Sequence, residues 1–191
     1  MGNLVEKALE TAAIAHRDQV RKGTNIPYIT HPCAVALILA AAGCGEEVVA
    51  AGLLHDTVED TPMSLEEIRE GFGEGVARIV AANTEPPKSL PWEERKEHTI
   101  ASLASLPLDA RLVMCADKLH NLRTIAAEHR ELGEKVWERF KRGRKEQEWY
   151  YRGLARGLCH RPDLGDYAPL FRKFEEEVDA LFSAEPEVAP G

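Results

Sequence analysis

What most constrains this chain is its punctuation. Apolar residues recur at helical spacing in segment after segment, and each segment ends at glycine or proline: Gly23 and Pro27, Gly43, Pro62, Pro86 and Pro87, Pro107, Gly143. No run of alternating β-branched residues is long enough for a sheet. The chain therefore reads as all-α. Helices are expected over 3–18, over 30–43 with Thr30 or His31 as its cap, and over 46–61 up to Pro62. Ser64 followed by Glu67 is a capping box opening the next segment, and 73–84 adds a short helix. Residues 84–92, TEPPKSLPW, form a loop. Helical patterns resume over 93–105, after Pro107, around Gly143 and over 166–182. The tail from 183, SAEPEVAPG, is expected to be disordered.

Charge and cysteines exclude several classes. With 191 residues, the chain can build one domain with a real core. A net charge of −8 argues against DNA or RNA as partner, which needs a broad basic face. It leaves room for a small anionic ligand met by local cations, of which Arg21-Lys22 and the segment 138–145 stand out. No stretch approaches the roughly 20 apolar residues that span a bilayer, so no membrane role is expected. Cys33, Cys44, Cys115 and Cys159 form no CxxC pair and read as small hydrophobes in a reducing cytoplasm.

One segment runs against its surroundings. LLHDTVEDT, at 53–61, puts His55, Asp56, Glu59 and Asp60 into an apolar helix, where an unpartnered imidazole or carboxylate is costly. His31 and Asp117 stand in similarly apolar helices. Two imidazoles and two carboxylates on one divalent ion would remove that cost. Such a donor set suits Mn²⁺, Fe²⁺, Co²⁺ or Zn²⁺. Glu59 and Asp60 follow His55 and Asp56 by four residues each, one turn along the same face. Carboxylates beside an ion can orient water or move protons. Neighbours on a helix point about 100° apart, so His55 and Asp56 can share an ion only near a helix end or facing a common cavity.

His31, His55-Asp56 and Asp117 together resemble the H…HD…D signature of the HD superfamily of metal-dependent phosphohydrolases. RKGTNIPYITHP, LLHDTVEDT and ADKLHNLRT, in that order over 21–124, resemble the hydrolase domain of RelA/SpoT-type proteins and the stand-alone small alarmone hydrolases. The resemblance implies a single HD-domain helical bundle over 1–182. It implies one Mn²⁺ held by His31, His55, Asp56 and Asp117, with Glu59 and Asp60 activating water and assisting the leaving group. It further implies phosphate contacts from Arg21 and Lys22, and nucleotide contacts from Asn121 and Thr124. Arg142, Arg144 and Tyr150 are added as candidate phosphate and base contacts, although the aromatic run at 149–151 also reads as a core stripe.

The implied reaction removes pyrophosphate from the 3′ position of guanosine 3′,5′-bis(diphosphate) or its pentaphosphate, giving GDP or GTP. The alternatives are an HD phosphohydrolase acting on NADPH or a nucleoside monophosphate, and a non-enzymatic alarmone-binding domain. The complete set of expected ligands and acids weighs against the last.

Overall fold

The computed structural model describes residues 3–183, so the tail expected from 183 lies almost wholly outside the described residues. Within them the fold is all-α, and the only pairing of extended backbone is an isolated bridge between Val20 and Pro27. The contacts divide the chain into two compact units, one up to Asp117 and one from Lys118.

The first unit holds α1 (Asn3–Ala15), α2 (Thr30–Ala41), α3 (Glu46–Leu54), α4 (Thr57–Asp60), α5 (Leu65–Asn83), α6 (Trp92–Ser102) and the start of α7 (Leu108–Leu132). Its centre is α3, which packs against α1, α2 and α5. A helix surrounded in this way has no polar face to spare, and every residue from Val49 to Leu54 is buried. Small residues allow the approach. At Gly52 a Cβ would fall 2.5 Å from Leu39 Cδ1 and 3.4 Å from Val35 Cγ1, both on α2. The core continues through Ile68, Phe72, Val76 and Ile79 of α5 and the buried run Ala110–Ala116 of α7. That run includes a fully buried Arg111, whose Nε donates to the Leu106 carbonyl at 3.1 Å.

The helix boundaries follow local chemistry. Ser64 and Glu67 close the expected capping box at the head of α5, the Glu67 N–H donating to Ser64 Oγ at 3.2 Å and the Ser64 N–H to Glu67 Oε2 at 2.7 Å. The two segments expected on either side of residue 73 form one element broken at Gly73, where φ is 87°. At α2 neither expected cap is used. Ile29 precedes the helix without a side-chain cap, and the Thr30 hydroxyl donates backwards to the Pro27 carbonyl at 2.8 Å.

The second unit holds the remainder of α7, a 3-10 turn at Gly133–Arg139, α8 (Arg144–Cys159) and α9 (Ala168–Ser183). α8 packs on α9. Tyr151 lies 6.4 Å from Phe174 and 6.0 Å from Phe182, and Trp137 stacks on Phe182 at 5.7 Å. The aromatic stripe read from the sequence is thus a core feature at Tyr150 and Tyr151, whereas Trp149 is exposed.

Candidate active site

The expected helix over 46–61 is not continuous. α3 ends at Leu54 and α4 begins at Thr57, leaving His55 and Asp56 at the junction. The Thr57 hydroxyl donates to the Leu54 carbonyl at 2.7 Å, and Asp56 turns the chain with φ −94° and ψ −6°. This break resolves the 100° problem: at a helix end, adjacent side chains can reach one point.

They reach it together with His31, in the first turn of α2, and Asp117, the last residue of the first unit. Ligand atoms of His31, His55 and Asp117, all buried, lie within 4.8 Å of one another. His31 Nε2 is 3.1 Å from Asp117 Oδ1 and 3.5 Å from Asp56 Oδ2. His55 Nε2 is 3.1 Å from Asp56 Oδ2 and 3.7 Å from Asp117 Oδ1.

Two observations test whether these residues fit a divalent ion. The first is spacing. Donors bound at about 2.0–2.2 Å and subtending about 90–110° lie roughly 2.8–3.6 Å apart, close to the separations seen. The second is the His55 tautomer. Its Nδ1 donates to the Gly52 carbonyl at 2.8 Å, so the neutral ring presents its lone pair at Nε2. Nε2 is buried with no hydrogen-bond partner, although two carboxylate oxygens lie within 4 Å of it. Nε2 and the carboxylates need a proton or a metal cation between them, and the donor set fits a divalent cation.

The electrostatics agree. Burial opposes charge on the His55 ring, but Asp56 and Asp117 outweigh it and raise its pKa well above the ordinary imidazole value. Burial likewise opposes the Asp56 carboxylate, yet the adjacent His55 and His31 hold it well below the usual carboxylate range. Tyr28, in the loop before α2, donates its hydroxyl to Asp56 Oδ2 at 2.6 Å. Burial and the Asp56 charge push that phenol far above its usual value, so it stays a donor.

Glu59 and Asp60 lie on α4, half-buried. Burial, then Glu85, Asp60 and Asp56, raise the Glu59 carboxyl above the ordinary glutamate value. Lys88, from the 84–92 loop, lies 3.7 Å from Glu59 Oε1 and donates to Asp60 Oδ1. Asp60 is also reached through its backbone: Gln19 Nε2 donates to its carbonyl at 2.7 Å, while Gln19 Oε1 faces His16 Nδ1 at 2.8 Å.

Tyr28, Gln19 and Lys88 were not singled out from the sequence, although the PY of the matched loop was the available signal for Tyr28. The Arg21 guanidinium lies 5.8 Å from the centre of the Tyr28 ring, and Lys22 is exposed next to it.

The remaining candidates belong to the second unit. Thr124 donates to the His120 carbonyl at 3.1 Å, and Asn121 is half-buried. Arg142 donates to the Lys141 carbonyl at 3.3 Å and Arg144 to the Phe182 carbonyl at 3.4 Å. Tyr150 is only 4% exposed, its ring edge-on to Tyr151 at 5.8 Å.

A helical fold that gathers two histidines and two aspartates in this order defines a class, and the chain belongs to the HD domain family, whose model matches residues 8–144. Its relatives are more particular. Over 117 residues it is 46% identical to a Danio rerio protein named guanosine-3′,5′-bis(diphosphate) 3′-pyrophosphohydrolase MESH1, a match covering 60% of this chain and 64% of that one. Over 134 residues it is 41% identical to a GTP pyrophosphokinase of Streptomyces coelicolor, covering 69% of this chain but only 16% of that much longer protein. A solved structure described as a metazoan ortholog of SpoT that hydrolyzes ppGpp superposes with a TM-score of 0.76 at 31% identity, covering 95% of this chain and 96% of that one.

Proposed function

We propose that this protein is a metal-dependent hydrolase that removes the 3′-diphosphate of guanosine 3′,5′-bis(diphosphate) and its pentaphosphate, releasing pyrophosphate and GDP or GTP. The convergence of His31, His55, Asp56 and Asp117 carries the reading. The resemblance to named pyrophosphohydrolases supports the substrate. We take the four residues to hold one divalent ion, Mn²⁺ by resemblance. Bound there, it supplies Lewis-acid polarisation of a phosphoryl oxygen and makes water more acidic.

The chain's own residues do the rest. A water oxygen bonds to the phosphorus attached to O3′, the phosphorus–O3′ bond breaks, and pyrophosphate departs. Water loses a proton and O3′ gains one. Glu59, with its raised proton affinity, is suited to carry a proton between them. Asp60, ion-paired to Lys88 and fixed through its backbone by Gln19, orients the attacking water. Arg21 and Lys22 meet the phosphates, which a chain of net charge −8 can do only with local cations. Asn121 and Thr124, which follow Asp117 along α7 at four- and seven-residue spacing, are the nucleotide contacts that the resemblance implies.

We place the protein in the cytoplasm, a reading supported by its four free cysteines. Among the described residues no helix is long and apolar enough to cross a membrane.

The test is purified, Mn²⁺-loaded protein given ppGpp, pppGpp and NADPH side by side. Pyrophosphate released with GDP or GTP is the expected result. Turnover of NADPH alone would replace the substrate, and turnover of none by metal-loaded protein would refute the enzyme.

A further inference from the structure

The Asp56 carboxylate has an arrangement that the metal reading does not by itself require. Its Oδ2 is the oxygen that faces both His55 Nε2 and His31 Nε2, and it also accepts the Tyr28 hydroxyl. Asp56 stands at the break between α3 and α4, and the terminal torsion of an aspartate has no sharp staggered preference. A carboxylate in that position needs an outside partner to fix its plane.

Tyr28 is built to be that partner. Its N–H donates to the Gln19 carbonyl at 2.9 Å, and its own carbonyl accepts the His31 N–H at 2.9 Å. Its ring lies edge-on to His31 at 5.8 Å and 4.9 Å from the buried His16. The loop's other end is tied by Gln19 to the Asp60 carbonyl. The phenol therefore reaches Asp56 from a frame anchored at both ends.

We propose that Tyr28 is a positioning residue of the metal centre: its hydroxyl fixes the Asp56 carboxylate in the orientation in which it shares an ion with His31, His55 and Asp117. The proposal rests on the metal reading above. It has a second consequence. Tyr28 belongs to the loop that carries Arg21 and Lys22, so the hydrogen bond that orders a metal ligand also ties the phosphate-binding cations to the same frame. Hydrogen bonds to ligating side chains from groups that do not touch the ion are typically worth about 10–100-fold in metal affinity.

The experiment is isothermal titration of metal-stripped protein with MnCl₂, at a temperature where circular dichroism shows every variant folded. Wild type, Tyr28→Phe and His55→Ala are compared, together with a protein carrying 4-aminophenylalanine at position 28, which keeps a donor there. The expected result is Mn²⁺ binding by wild type, about 10–100-fold weaker binding by Tyr28→Phe, and recovery of most of that loss with the amino analogue. At saturating Mn²⁺, the kcat of Tyr28→Phe on ppGpp should return towards wild type. Equal affinity of wild type and Tyr28→Phe overturns the role of Tyr28 and leaves the metal reading intact. A loss that the amino analogue does not recover overturns it too, by reducing Tyr28 to packing. Absence of Mn²⁺ binding by wild type removes both readings.

Discussion

Replacing Gly52 by alanine should harm the metal centre without touching a ligand. The added methyl would fall 2.5 Å from Leu39 Cδ1 and 3.4 Å from Val35 Cγ1, against an ordinary carbon–carbon contact of about 3.5–4.0 Å. Leu39 and Val35 are fully buried, so the displaced Leu39 methyl has no open space, and α2 and α3 must separate or repack. Overpacking of this kind costs about 1–3 kcal/mol. Alanine's better helix propensity returns about 1 kcal/mol, so the net loss is about 0–2 kcal/mol, with each kcal/mol worth roughly 2–4 °C in Tm at this size. The metal effect is the sharper readout. α2 carries His31, and the Gly52 carbonyl accepts from His55 Nδ1, so the overpacked pair separates the two imidazoles, now 5.2 Å between ring centres. Thermal denaturation and Mn²⁺ titration of Gly52→Ala should be repeated with Leu39→Ala beneath it. There the methyl has room, and a coupling of about 1 kcal/mol or more is expected. If Gly52→Ala raises Tm equally in both backgrounds and leaves Mn²⁺ affinity unchanged, close packing of α2 on α3 does not set the spacing of the histidines.

The other expectations concern single side chains. Glu59→Gln should keep Mn²⁺ affinity and lower kcat by about 10²–10⁴-fold, and full activity would exclude Glu59 from proton transfer. Because burial and then Glu85, Asp60 and Asp56 raise its pKa, the native state binds the Glu59 proton more tightly than the unfolded chain does. That contribution to stability is complete below the ordinary glutamate value and lost as pH rises through the raised one. Metal-free Glu59→Gln should therefore match wild type in Tm near pH 4, roughly the ordinary glutamate value, and exceed it at neutral pH. The reverse order would contradict the assigned direction. Lys88→Met removes a cation that lowers the Glu59 pKa. The Glu59-dependent limb of the kcat profile should move to higher pH, and only slightly because Lys88 is largely exposed. Lys22→Ala should raise KM for ppGpp with kcat nearly unchanged; a fall in kcat alone would deny it a role in holding phosphate. His55→Ala and Asp117→Ala should each lose Mn²⁺ retention, measured by elemental analysis, together with turnover.

The site was legible where its signal was local in sequence and illegible where it depended on the path of a loop. His55, Asp56, Glu59 and Asp60 announce themselves because four polar residues in an apolar helix demand a reason. The Ser64–Glu67 box declares a helix start because both of its bonds close within one turn. The break at Asp56 was foreshadowed by the 100° conflict between adjacent helical side chains, but its position depends on the Thr57 hydroxyl taking the Leu54 carbonyl, an alternative that helical periodicity does not encode. The extent of α7 to Leu132 was likewise hidden, because the apolar pattern fades before the helix does. Lys88 shows the limit most clearly. By composition it is one lysine in a proline-broken surface loop, for which a solvated cation is the ordinary reading. Only the fold of that loop brings it onto Glu59 and Asp60. Tyr28 and Gln19 are of the same kind, since each acts through a bond to a residue on the far side of α2 and α3 in sequence. The converging histidines and aspartates could be read because buried charges restrict residue type. The residues that hold them in place could not, because many side chains can donate one hydrogen bond, and only geometry says which one does.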